Sequence, residues 1–419
     1  MGLLLDLGYV AAGLLASPWL LFKLLSDRRF RHRLGERLGG LPVSGEGGPV
    51  VWFHAASVGE VNLVKPLLAR LKASRPSFRF LVTTNTMAGR ENAEKAGMST
   101  SYYPLDLSPC VGRALRRVRP AAVVLIELEV WPNFARACAR RGVPVAVVNG
   151  RMTERSFRRY RRFRGLFGGA FRSLAAAGAQ SEESAARLRE LGAPVVVTGN
   201  LKYDAAIGFD PAGEERAWRE LLGFGDAPVL VAGSTHEPEE RILAETYRQL
   251  RRSHPTLRLV VAPRHLERAD EAKKAVESAG VPCYKRTQLT APPPSDGVVL
   301  LDTVGELSRV YAAASAVFIG GTFCARGGQN MLEPAALGKP IVSGPDLANF
   351  REIAGTLVDA GGMRVFDNPV EMGAALGQLL KDPERARAAG ERARKAVDAG
   401  RGAIEATLRL LEKDVLKGT

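Results

Sequence analysis

Short runs rich in Val, Ile and Phe recur along this chain, separated by longer segments with helical spacing. In the first half the runs are Val50–His54, Phe78–Thr83, Ala122–Ile126, Val143–Val148 and Pro194–Thr198. In the second half they are Val229–Ala232, Leu257–Ala262, Val298–Leu301, Ala316–Ile319 and Pro340–Val342. Val61–Ala73 and Asn133–Arg140 are examples of the helical segments between them. Strand, helix, strand in this order predicts parallel sheets covered by helices. At 419 residues the chain is too long for one ordinary core. The pattern therefore reads as an α/β protein with two doubly wound, Rossmann-like domains.

The natural break is Ala205–Glu215, which holds the turn residues Gly208, Asp210, Pro211 and Gly213. The expected division is an anchor over residues 1–26, a first domain over 27–208, a second over 209–385 and a helical segment over 386–419. Pro292–Pro294 reads as a loop inside the second domain, because the strand pattern resumes directly after it.

Near the start, Leu7–Phe22 is uncharged and bounded by Asp6 and Lys23. It is slightly short of the roughly 20 residues that span a bilayer. Arg28, Arg29, Arg31, Arg33 and Arg37 follow it. A secretory signal carries its positive charge before the apolar run, not after. The order predicts an N-terminal membrane anchor with the remaining chain on the cytoplasmic side. Pro18 interrupts a regular spanning helix, so a helix lying in the membrane surface is the other reading.

The net charge of +15 implies anionic partners: nucleic acid, phospholipid head groups or a phosphorylated substrate. Cys110, Cys138, Cys283 and Cys324 are far apart and form no C-x-x-C, which points to a reducing compartment. There is no H-E-x-x-H and no Asp-x-Asp, so no metal ion is expected. Gly338-Lys339 is followed by Pro340 and is not a phosphate-binding P-loop.

Ligands of doubly wound folds bind at the carboxyl ends of the strands. After the first strand come His54-Ala55-Ala56-Ser57-Val58-Gly59-Glu60. Ser57 and Glu60 fit a capping box. Equally, a carboxylate at this place can take a proton from an incoming hydroxyl, provided burial offsets the pKa-lowering effect of a helix start. The third strand ends in Glu127-Leu128-Glu129-Val130-Trp131-Pro132-Asn133, and acids there ask for a partner or a task. Lys202, in Thr198–Asp204, is either a surface cation or a ligand for a carboxylate or phosphate. Arg158, Arg159, Arg161, Arg162 and Arg164 make a basic face around Tyr160 and Phe163, suited to lipid phosphates or nucleic acid, or simply solvated.

The second half carries a nucleotide-like signature. Gly233-Ser234-Thr235-His236 precedes a helix opened by Pro238, where backbone N–H groups can meet an anion. Pro263-Arg264-His265 follows the next strand, then Val304-Gly305-Glu306, then Arg326-Gly327-Gly328-Gln329-Asn330 with Met331, Leu332 and Glu333. Arg264 suits a phosphate or a base, Asn330 a phosphate, and Glu333 a pair of ribose hydroxyls.

Together these segments resemble the bacterial 3-deoxy-D-manno-octulosonic acid (Kdo) transferases. The resemblance rests on H-A-A-S-V-G-E (54–60), E-L-E-V-W-P-N (127–133) and T-G-N-L-K-Y-D (198–204) in the first half. In the second half it rests on G-S-T-H-E (233–237), A-P-R-H (262–265) and R-G-G-Q-N-M-L-E-P (326–334). Two positions depart from the family: Leu266 stands where Pro is usual, and Val304 where Met is frequent. The resemblance implies a GT-B fold, two Rossmann-like domains facing across a cleft. It implies metal-independent, inverting transfer from CMP-Kdo to a lipid A precursor at the inner membrane, with anionic phospholipid rather than nucleic acid as the further partner. Glu60 would be the general base, with Glu127 and Lys202 in support and Glu129 the competing acid. Pro263, Arg264, His265, Val304, Gly305, Glu306, Asn330, Met331, Leu332 and Glu333 would hold CMP. The rival readings are a membrane-surface GT-B enzyme using a UDP-sugar and a membrane-tethered nucleic-acid-binding protein.

Overall fold

The computed structural model describes residue 6 and residues 33–42, 47–204 and 208–417. The expected anchor, residues 1–26, lies outside the described residues except for Asp6. Among the described residues no helix is long and apolar enough to cross a membrane.

The chain forms two compact units, one of Met1–Ala205 with Arg401–Thr419 and one of Ala206–Gly400. Each unit is built on a seven-stranded parallel sheet. The first has β1 (Val50–His54), β2 (Arg79–Thr84), β3 (Thr100–Tyr102), β4 (Ala122–Ile126), β5 (Val145–Gly150), β6 (Ala176–Ala179) and β7 (Val195–Val197). Their order across the sheet is β3-β2-β1-β4-β5-β6-β7, so the order in which strands are added reverses between β1 and β4. The second has β8 (Val229–Thr235), β9 (Arg258–Pro263), β10 (Cys283–Lys285), β11 (Val298–Leu300), β12 (Ala316–Ile319), β13 (Ile341–Ser343) and β14 (Met363–Val365). Its order is β10-β11-β9-β8-β12-β13-β14, with the reversal between β8 and β12.

A parallel sheet buried on both faces needs apolar side chains on both. Alternation along β1 supplies them. Trp52 joins a core layer with Leu125, Phe134, Val147 and Phe171. Val51 and Phe53 join the opposite layer with Val64, Leu67, Leu71, Ile126 and Leu411. Helix Val58–Ser74 starts at Ser57, whose side chain accepts from the Glu60 N–H, and buries Val61, Val64, Leu68 and Leu71 at spacings of three and four.

β3, β6, β10 and β14 are not among the strands expected from the sequence, and each has three or four residues. The helical segment expected over 386–419 is not a unit of its own. Helix Pro383–Ala399 belongs to the second unit and helix Ala403–Asp414 to the first, with the turn made at Gly402, φ 100°. The returning helix places Leu408, Leu410 and Leu411 in the core of the first sheet. Asp204 fastens its start: Oδ1 accepts from Gly402 N at 2.7 Å and Oδ2 from Ile404 N at 2.6 Å.

Candidate active site

In the first unit the reversal of strand order brings the loop after β1 beside the loop after β4. Glu60 is the third residue of its helix, and its carboxylate folds back on the turn that precedes it. Oε2 accepts from Ala56 N at 2.8 Å and Oε1 from the Ser57 hydroxyl at 2.9 Å. The capping arrangement is therefore real, but it does not hold the acid at an ordinary pKa. Burial pushes Glu60 up to about 7, and the charges of Glu127 and Glu129 push the same way, against the pull of the Ala56 and Ser57 bonds.

Glu127 leaves the end of β4 in the left-handed region, φ 59°, while its N–H still donates to Val148 O at 2.9 Å. That turn aims consecutive side chains of the acidic loop differently at a cost of about 1 kcal/mol. Burial raises the Glu127 pKa, opposed by the positive charges of Lys202 and Arg151. Glu129 has other neighbours. Its Oε2 lies 3.7 Å from His54 Nε2 and accepts from Trp131 Nε1 at 2.9 Å. The His54 contact, chief among these, lowers its pKa. His54 itself is fully buried, stacked on Tyr103 at 3.8 Å and bonded through Nδ1 to Thr83. Of the two acids, Glu127 is thus the one grouped with Lys202.

Lys202 sits in the turn after β7, whose shape is set from β5. Asn149, at φ 56° and fully buried, accepts from Leu201 N at 3.0 Å. Its Nδ2 has no partner among the described residues. Asn149 and Arg151 escaped the sequence reading, although Asn149 stands in the last two residues of β5 and Arg151 follows it directly.

In the second unit the loops after β8, β9 and β12 meet. Arg264 is exposed and donates from Nε to Gln329 Oε1 at 3.2 Å, which joins it to the Arg326–Glu333 loop. Pro263, before it, is buried. The His265 and His236 rings meet edge to face at 5.5 Å. Burial, His265 and the charges of Arg326, Arg268 and Arg264 lower His236 to about 4, so this corner holds its imidazole neutral among cations. Asn330 donates to Glu333 Oε1 at 2.9 Å, and burial raises the Glu333 pKa despite that bond. Met331 and Leu332 are fully buried, so their side chains are core and only their main chain is left to face a ligand. Val304 is 87% exposed, and with Gly305 and Glu306 it lines an open groove beside Trp218 and Arg309.

The turn at Ser234–His236 is not an open anion nest. The buried carboxylate of Glu239 fills it, accepting from His236 N at 3.0 Å, Gly321 N and Thr322 N at 2.8 Å and Phe323 N at 3.0 Å. Two glycines permit this packing. A Cβ on Gly233 would lie 1.7 Å from Tyr311 Oη, and one on Gly320 would lie 2.3 Å from Ser234 O. Glu239 carried no motif in the sequence that would single it out from Glu240.

Two parallel-sheet α/β units with polar groups at their carboxyl ends define a protein of the kind seen in GT-B glycosyltransferases. Solved structures agree at the level of fold. A UDP-GlcNAc 2-epimerase from Neisseria meningitidis matches with TM-score 0.58 and 15% identity over 88% of this chain and 100% of its own. A glycosyltransferase from Rickettsia africae matches with TM-score 0.57 and 10% identity over 89% of this chain and 100% of its own. A family model described as 3-deoxy-D-manno-octulosonic-acid transferase (kdotransferase) matches residues 32–205. The 3-deoxy-D-manno-octulosonic acid transferase of Bordetella pertussis is 35% identical over 86% of each chain. That of Haemophilus influenzae is 31% identical over 92% of each. The chain belongs to the 3-deoxy-D-manno-octulosonic acid transferase family.

Proposed function

We propose that this protein transfers Kdo from CMP-Kdo to a hydroxyl of a lipid A precursor, at the cytoplasmic face of a bacterial inner membrane. The observation that carries the reading is Glu60, in a chain of this family, held near neutral pKa beside Glu127. A base is most effective when its pKa lies close to the working pH. Glu60 takes the acceptor's hydroxyl proton, the oxygen bonds to the anomeric carbon of Kdo, and the bond from that carbon to the CMP phosphate breaks. CMP leaves with the electron pair and the anomeric configuration inverts. Lys202 and Glu127 act beside the transferred sugar. A single leaving phosphate needs modest countercharge, and Arg264 gives it. Asn330 and Glu333 hold the nucleotide from the loop after β12, Val304–Glu306 from the loop after β11, and His265 flanks Arg264. The reading includes no metal ion, which the lack of Asp-x-Asp supports. Membrane association rests on the apolar segment and the arginines that follow it, with anionic phospholipid as the partner.

The test is turnover of the full chain with tetra-acylated lipid A precursor and either CMP-Kdo or UDP-sugars, read by mass spectrometry of the lipid. A Kdo-bearing lipid formed only from CMP-Kdo is the expected result. Turnover only with a UDP-sugar would overturn the assignment.

A further inference from the structure

Asp6 breaks the apolar run at the start of the chain, and a carboxylate in such a run needs donors. It finds two in the first unit. Oδ1 accepts from Ser108 N at 3.0 Å and from Asn133 Nδ2 at 2.9 Å. Ser108 is the first residue of helix Ser108–Val118, whose cap position is Leu107 and has no side-chain oxygen. Asp6 supplies the missing acceptor. Asn133 is the second residue of helix Pro132–Ala139, which begins where the acidic loop ends.

That second helix has the same defect, because Trp131 stands at its cap. Asp106 fills the role, accepting from Asn133 N at 3.1 Å and Phe134 N at 2.8 Å. The two hydrogens of the Asn133 amide are then shared out, one to Asp106 O at 2.7 Å and one to Asp6. Two residues before Asn133, Trp131 holds Glu129, whose charge acts on Glu60. Asp6 is therefore hydrogen-bonded to the last residue of the acidic loop, Asn133.

We propose that Asp6 is a positioning residue that latches the start of helix Ser108–Val118 to Asn133 at the end of the Glu127–Asn133 loop, and so fixes the acids around Glu60. The inference rests on the transfer reading for its effect on rate. Removing the latch shifts reacting groups without touching them, and misplacement of that kind lowers kcat by about 10- to 100-fold. The full chain carrying Asp6→Leu is expected to lose this much in kcat, keep its KM for CMP-Kdo, and keep its binding to phosphatidylglycerol vesicles. Asp6→Asn retains an oxygen that accepts both bonds and is expected to restore the rate. Asp6→Leu combined with Asn133→Ala is expected to be no slower than Asn133→Ala alone.

Asp6→Leu at the unaltered rate, a loss that tracks vesicle binding, or a loss that Asp6→Asn does not restore would each overturn the latch. Amide hydrogen exchange across Glu127–Phe134 tests it without turnover. Faster exchange in Asp6→Leu, but not in Asp6→Asn, supports the latch. Unchanged exchange overturns it even where the unaltered chain transfers no Kdo, in which case the transfer reading fails separately.

Discussion

Nε2 of His54 stands 3.7 Å from Oε2 of Glu129, with the imidazole fully buried and the carboxylate only partly so. The pair keeps Glu129 ionised, and an ionised Glu129 helps keep Glu60 protonated below neutrality. Glu129→Gln removes that charge and lowers the Glu60 pKa. The acid limb of the kcat/KM profile, expected near pH 7 from Glu60, should therefore move to lower pH. A profile measured across the limb checks this, and an unmoved limb would separate Glu129 from the base.

Glu60→Gln keeps a side chain that can accept from Ala56 N, so the turn before the helix survives. Transfer should fall by about 100-fold or more. Steady-state rates and circular dichroism on the same sample distinguish loss of the base from loss of the fold.

The same variant makes a prediction about stability. Glu60 ionises near pH 7 in the folded protein and near 4.5 in an unfolded chain. As pH rises between those values the unfolded chain releases its proton first, so the fold loses stability and does not regain it above pH 7. Glu60→Gln lacks this penalty. Its urea midpoint relative to the unaltered protein should rise across that window and level off above it.

Glu239→Ala would leave four backbone N–H groups without an acceptor, those of His236, Gly321 and Thr322 buried and that of Phe323 partly so. The expected cost is at least about 3 kcal/mol, seen as an earlier denaturant transition of the second unit, with CMP affinity lowered by the loosened loops. Isothermal titration with CMP at a temperature where the variant stays folded reads the second effect.

Gly320→Ala places a Cβ 2.3 Å from Ser234 O and 2.6 Å from Thr235 Cα. Neither backbone atom can yield without moving β8 against β12. This variant should fail to fold its second unit, whereas Gly305→Ala, with no atom within 4 Å, bears only the strain of φ 85°, about 1 kcal/mol. Thermal melts of the two variants side by side measure the contrast.

The parallel sheets were legible because their central strands are rich in branched and aromatic apolar residues. Val50–His54, Ala122–Ile126 and Ala316–Ile319 fall where the runs of apolar residues place them. β6 was not legible. Ala176–Ala179 has no branched side chain, because a Cβ on Gly178 would already meet Thr198 Oγ1 at 2.7 Å and Leu410 at 3.2 Å. Its neighbours, and not its own propensity, make it a strand. The candidate site divides the same way. Glu60, Glu127 and Lys202 stand at strand ends, where the fold rule directs attention. The partners that tune them, His54, Asn149 and Arg151, are distinguished only by burial and dihedral angle, which spacing does not encode. For Glu60 the two sequence readings, cap and base, turned out not to compete: the side chain makes the capping bonds and still has its pKa raised.

The return of Ala403–Asp414 to the first unit also bears on the order of events during synthesis. Residues 206–400 are contiguous and can close their own core as soon as they have emerged. The first sheet is translated earlier but lacks Leu408, Leu410 and Leu411 until the ribosome has passed them. The half of the protein made first is therefore the half that finishes last, and until then the part of its sheet over β6, beside helix Val58–Ser74, is open to whatever chaperone or lipid surface lies near the tunnel exit.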